Sequence, residues 1–133
     1  MNNGFKLEIV NPEKSFLSKE NVSEVVVPAY EGEMGILKDH ISIISFLKPG
    51  LVRVFESISN EETYYVEDGI IEFKNNCLSI LTSNIFDIKK IDKNVVRDTL
   101  AKAEKDTKNT DISDQTKYLL DQKIEVLKSL TLN

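Results

Sequence analysis

Apolar and polar positions alternate through most of the first ninety residues and then change period. Phe5-Lys6-Leu7-Glu8-Ile9 has the period-2 pattern of a strand with one buried face, and Asn11-Pro12-Glu13 interrupts it. Alternation resumes over residues 22–27 and is expected to stop at Pro28; residues 51–56 predict another strand. A further strand is expected over residues 63–67, after a polar turn of Ser59, Asn60, Glu61 and Glu62. Asp68-Gly69 carries the signal of a two-residue hairpin into a returning strand at 70–73, and Asn75-Asn76, which tolerates positive φ, turns the chain into residues 77–82. Short strands with turns every eight to twelve residues predict a sandwich or barrel, with one face of each sheet buried.

Beyond residue 91 the spacing becomes helical. Asp92 is expected to cap a helix starting at Lys93, and Val96, Leu100 and Ala103 form one apolar stripe. Thr107-Lys108-Asn109-Thr110 is a polar break, after which Asp111 or Ser113 can cap a second helix. There Leu120, Ile124 and Leu127 repeat the spacing, widened by Leu119, Val126 and Leu130. So short a break makes the helices antiparallel neighbours, each offering its stripe to the other. The expected fold is therefore mainly β within the α+β class: an antiparallel β-rich body over residues 1–91 and a helical hairpin over 92–133.

Charge divides the chain at the same point. Of 133 residues with net charge −5, residues 1–91 carry 9 basic and 14 acidic side chains, and residues 92–133 carry 8 of each. An acidic body argues against a nucleic-acid partner bound through phosphate neutralisation. A 41% hydrophobic and 29% charged composition is that of a globular chain, and no run approaches the roughly 20 apolar residues of a membrane span. The first residues lack the basic and apolar regions of a leader, and the single Cys77 excludes an internal disulfide, so a soluble cytoplasmic chain is expected.

Residues 25–54 read VVVPAYEGEMGILKDHISIISFLKPGLVRV. This order closely resembles the epsilon subunit of bacterial F-type ATP synthases: a Val-rich strand and Pro, Glu-Gly-Glu before an apolar residue and Gly, a His-bearing turn, an apolar strand, and Leu-Lys-Pro-Gly before Val-Arg-Val. The likeness continues through Gly69 and the run from Leu78 to Thr82, and covers essentially the whole chain. It implies a β-sandwich of about ten strands followed by a two-helix domain, in a non-catalytic subunit of the central stalk. The implied partners are the gamma subunit and the ring of c subunits, at the cytoplasmic face of the bacterial inner membrane. The hairpin would regulate ATP hydrolysis through the catalytic alpha and beta subunits.

The same resemblance implies that Glu31, Gly32, Glu33, Met34 and Gly35 form a loop facing the c-ring, together with Asp39 and His40. The two glutamates would be rim charges that set register more than affinity; taken alone, the segment reads as a solvated acidic turn. Asp39-His40 lacks a nearby nucleophile or further metal ligands, so neither catalysis nor metal binding is expected of it. Lys38-Asp39 stands where Pro-Gly is usual in the family. In some relatives Ile-Asp-x-x-Arg-Ala contributes to an ATP site. Here the run is Ile91-Asp92-Lys93-Asn94-Val95-Val96, so Val95 replaces the guanidinium that would bind phosphate, and ATP is expected to bind weakly or not at all. No other cofactor is expected.

Lys93, Arg97, Lys105 and Lys108 share about a third of the first helix's circumference, with Glu104 beside them. By resemblance they are inhibitory contacts; by themselves they read as a solvated face. Pro49-Gly50 is expected to make a type II turn with Gly50 at positive φ. Cys77 reads as a small core or edge residue without a basic neighbour, and Tyr64 and Tyr65, on opposite faces of one strand, would put at most one ring in the core. Two other classes are open to the residues alone. A general interaction adaptor would lack gamma as its principal partner, and a small hydrolase built on Asp39 and His40 lacks a nucleophile.

Overall fold

A computed structural model describes residues 4–13, 15–57 and 60–131. Ten strands precede two helices: β1 (Phe5–Val10), β2 (Ser15–Val22), β3 (Glu24–Ala29), β4 (Gly32–Leu37), β5 (Ile43–Leu47), β6 (Gly50–Ser57), β7 (Asn60–Val66), β8 (Gly69–Lys74), β9 (Cys77–Thr82), β10 (Ile85–Asp87), α1 (Lys93–Thr107) and α2 (Asp114–Thr131). They form two layers. One runs β10-β7-β6-β3-β4 and the other β5-β8-β9-β1-β2, joined where Ala29 pairs with Leu47. Pairing is antiparallel except for β1 and β9, which run parallel, a departure from the all-antiparallel expectation. Leu7, Ile9, Val25, Val54, Ile71 and Phe73 are among the inward side chains that fill the core.

Several local expectations are corrected. Residues 22–27 are not one strand: β2 ends at Val22, Ser23 donates to the Phe55 carbonyl, and β3 runs on through Pro28. Proline is tolerated there because β3 leaves β6 after Val26 and reaches β5 at Ala29, so the missing N–H falls at a corner of the sandwich. Asn60, Glu61 and Glu62 belong to β7, whereas Ser59 and the first three residues lie outside the described ones.

Asp68-Gly69 closes no hairpin, because β7 pairs with β6 and β10 while β8 pairs with β5 and β9. The dipeptide carries the chain from one sheet to the other. Glycine is needed there for close approach, since a Cβ on Gly69 would lie 2.2 Å from the Leu81 carbonyl oxygen. Gly50 likewise lacks the positive φ of a type II turn; its constraint is Pro28, 2.6 Å from where a Cβ would be. The turn at Asn75 and Asn76 does adopt positive φ, 51° and 55°.

Asp92 caps α1, its Oδ1 accepting from the Asn94 N–H at 2.8 Å. Of the two candidate caps for α2 it is Ser113 that acts, accepting from the Thr116 N–H at 3.1 Å. The stripes do not serve each other alone. Val96 and Leu127 form a second apolar cluster with Tyr65, flanked by Leu51, Phe86 and Leu100. Both tyrosines are therefore buried, Tyr64 in the main core and Tyr65 beneath the hairpin; the hairpin supplies the cover that alternation alone could not reveal.

Candidate functional site

The segment expected to face a ring is mostly strand. Tyr30 and Glu31 make the turn between β3 and β4, and Gly32, at φ 132°, is the one position where the chain uses a left-handed glycine. Gly32, Glu33, Met34 and Gly35 lie within β4, so only Glu31 of the five residues is in a loop: the other four pair with β3 from Gly35↔Val26 to Gly32↔Ala29. Met34 packs on the core, while Glu31 and Glu33 are exposed, and Glu33 Oε2 lies 3.3 Å from Arg53 Nη2.

Asp39 and His40 lie past the far end of β4, about 17 Å away along a strand that rises about 3.3 Å per residue. Asp39 has φ 66° and is tied to the β8–β9 turn: its N–H donates to Asn76 Oδ1 at 2.7 Å and its Oδ1 accepts from Asn76 Nδ2 at 2.9 Å. His40 Nδ1–H donates to the Ile41 carbonyl at 2.7 Å, and the ring sits edge-on to Phe73. Each member of the Asp-His pair is thus engaged elsewhere. Among the described residues no cluster of three metal-ligating side chains occurs.

Two sheet faces point away from the sandwich core. On one, the row Leu51–Tyr65–Phe86 crosses β6, β7 and β10 and is covered by the helices; Tyr65 stacks on Phe86 with ring planes 12° apart. On the other, the row Phe46–Ile70–Leu81–Val10 crosses β5, β8, β9 and β1. Phe46, Ile70 and Leu81 are 60%, 41% and 50% exposed, and Ile44 beside them is 70% exposed. The next rows are charged: Glu72 and Glu8 flank Ser79, then Lys74 and Lys6 flank Cys77. Cys77 therefore has two basic cross-strand neighbours, which linear sequence could not indicate. A groove of about 390 Å³ runs beside the apolar row, between Tyr30, Phe46, Ile70 and Leu81, with Leu119 of α2 on its rim.

A polar cluster closes the sandwich margin. Lys19 Nζ pairs with Glu56 and, at 3.4 Å, with Glu62, which also accepts from the Tyr64 hydroxyl. The Glu56 hydrogen bond raises Lys19 above the ordinary lysine range, the Tyr64 hydroxyl lowers Glu62, and burial pushes the Tyr64 phenol up.

Lys93, Arg97 and Lys105 on α1 and Lys108 at its C-cap are all exposed. Ile91, Asp92 and Val95 line a cavity of about 570 Å³ with Phe16, Leu17 and Tyr64, where Lys90 is the single lining cation among the described residues. Val95 is 45% exposed and Asp92 is spent on the cap.

Two features escaped sequence reasoning. One is the open apolar row, although the unbroken apolar stretches at residues 43–44 and 70–71 signal strands apolar on both faces. The other is an ion pair between Lys123 of α2 and Glu67, 3.0 Å apart, which no local pattern marks.

Residues 4–88 match the family model for the ATP synthase delta/epsilon chain β-sandwich domain. The chain is 70% identical over 130 residues to the ATP synthase epsilon chain of Pelagibacter ubique (strain HTCC1062), covering 98% of this chain and 99% of that one. It is 38% identical over 111 residues to the ATP synthase epsilon chain of Dichelobacter nodosus (strain VCS1703A), covering 84% and 77%. In shape it is similar to a chain of the Euglena gracilis mitochondrial ATP synthase (OSCP/F1/c-ring), with a TM-score of 0.75 at 19% identity over 99% of this chain and 82% of that one; this last likeness concerns the fold. Sequence match, ten-stranded body and helical hairpin agree, and the chain belongs to the ATP synthase epsilon-chain family.

Proposed function

We propose that this chain is a non-catalytic rotor subunit of the central stalk in a proton-translocating F-type ATP synthase, at the cytoplasmic face of a bacterial inner membrane. Its body, residues 1–91, joins gamma to the c-ring, and its hairpin, residues 92–133, regulates hydrolysis. The observation that carries the reading is the open row Phe46–Ile70–Leu81, an apolar face that the described residues leave exposed. We assign gamma to that face.

The acidic Glu31 turn and Glu33 suit contact with basic loops of a ring, with Gly32, Met34 and Gly35 holding the turn and strand that present them. A ring seated there leaves Asp39 and His40, at the other end of β4, to a different surface of the stalk. In the hairpin, Lys93, Arg97, Lys105 and Lys108 are the proposed contacts to acidic segments of the alpha and beta subunits. The lining around Val95 favours no polyphosphate, so regulation would not run through bound ATP.

Reconstitution tests both halves. Full-length chain and residues 1–91 are mixed separately with gamma, the c-ring and the catalytic head. Both should co-purify with gamma, and the shorter chain should permit faster ATP hydrolysis. Failure of the full-length chain to bind gamma would overturn the stalk reading, and equal hydrolysis rates would remove the regulatory one.

A further inference from the structure

We infer that Lys123 and Glu67 form a charge latch that sets how readily the hairpin leaves the sheet; this rests on the proposal that the hairpin is regulatory. Lys19–Glu56, Arg53–Glu33 and Lys74–Glu72 all stay within the sandwich, whereas Lys123–Glu67 joins α2 to it. Its side chains are 21% and 19% exposed, against 39% and 67% for Arg53 and Glu33. A pair that is four-fifths covered interacts through a lower effective dielectric than a surface pair, so its electrostatic contribution is larger.

Position adds to this. Glu67 directly follows β7, two residues from Tyr65, whose hydroxyl lies 3.5 Å from Glu67 Oε1. Opening α2 therefore separates the ions and uncovers Tyr65 together. Removing one ion leaves the other largely covered and without its counter-charge, which favours the open state.

The seam is also accessible. A cavity of about 320 Å³ between Pro49, Glu67, Asp68, Leu119, Leu120 and Lys123 admits water and salt to one side of the pair. Apolar contact between Tyr65, Leu127 and Val96 is not weakened by moderate salt, but an ion pair is. Salt sensitivity of opening thus isolates the latch from the apolar seal. An acidic surface meeting α2 would compete with Glu67 for Lys123 in the same way.

The test uses the full chain with Cys77 replaced by Ser and spin labels at Glu61 on β7 and Glu125 on α2, both exposed. Distance distributions are recorded at low and high salt. The longer-distance population should grow with salt, and should grow about tenfold in Glu67→Gln and in Lys123→Met at low salt. The double reversal Glu67→Lys with Lys123→Glu should return it towards the parent value, and both single variants should lose the salt response. A distribution unchanged by salt in the parent chain overturns the latch without any variant. So does a salt response that persists in Lys123→Met. Binding to gamma is measured separately, so a failed latch leaves the stalk reading standing.

Discussion

The two outward sheet faces carry the same kind of apolar cross-strand row and meet different fates. Leu51–Tyr65–Phe86 is sealed by the hairpin, whereas Phe46–Ile70–Leu81 stays open. Chain connectivity explains the difference. β10 is the edge strand of the first sheet and leads through only five residues, 88–92, into α1, so the helices fold back onto the layer they leave. The other face lies across the sandwich, where α2 reaches only its margin through Leu119. One row is thus buried by its own chain on folding. The other leaves its apolar surface exposed, where burial would be worth about 25 cal/mol per Å².

The hardest way to break the comparison is to remove the ring at the centre of the sealed row. Tyr65 is fully buried between sheet and helices, so Tyr65→Ala should cost about 3–5 kcal/mol in chemical denaturation. Hydrogen exchange should show α1 and α2 losing protection before the core strands β8 and β9. A loss below about 1 kcal/mol would mean that the hairpin adds little to the fold and that the two faces differ only in name.

Alkali should weaken the sealed face. Burial pushes the Tyr65 phenol well above its ordinary value of about 10. A raised folded-state pKa contributes stability that is fully present below the unfolded value and lost as pH rises through the folded one. Tyr64 and Lys19 shift in the same direction and act in the same alkaline window. Glu62, lowered by the Tyr64 hydroxyl, contributes stability present above about 4.3 and lost as pH falls through its depressed value. Denaturation midpoints should therefore be flat between about pH 5 and 10 and fall on either side. Tyr65→Phe should be nearly neutral at pH 7 and should blunt the alkaline fall. An alkaline fall unchanged by Tyr65→Phe would assign it to Tyr64 and Lys19 instead.

Much of this was legible in the residues. Period-2 alternation located β1 and β6, turn residues located β8 and β9, the Asn75-Asn76 turn takes the expected positive φ, and Asp92 and the 96–100–103 stripe mark α1. Errors arose where tertiary placement overrode local signals. Asp68-Gly69 has hairpin chemistry but serves a crossover, because Gly69 must pass against the Leu81 carbonyl. Pro28 reads as a strand stop but sits at a corner where no N–H is needed. Glu31 and His40 lie beyond opposite ends of β4, a separation that no local pattern marks. Which face stays open is a property of connectivity, and Lys123 and Glu67 are 56 positions apart, beyond any local period.

The smallest expected effect on stability is the sharpest test of the open face. Phe46 is 60% exposed, edge-on to Tyr30, and paired with Ile70 across β5 and β8. Replacing it with serine removes little that folding has buried, so Phe46→Ser should move stability by no more than about 0.5 kcal/mol. If gamma seats on this row, however, the same change removes a central aromatic anchor, and affinity for gamma should fall at least about tenfold. Tyr65→Ala and Phe46→Ser would then be complementary: one costs folding through a contact the chain makes with itself, the other costs binding through a contact it leaves unmade. Unchanged gamma affinity in Phe46→Ser and in Ile70→Ser would remove the open row from the interface and move gamma to another surface. A large loss of stability instead would mean that Phe46 contributes to folding despite its exposure, and the contrast between the two faces would fail at its simpler end.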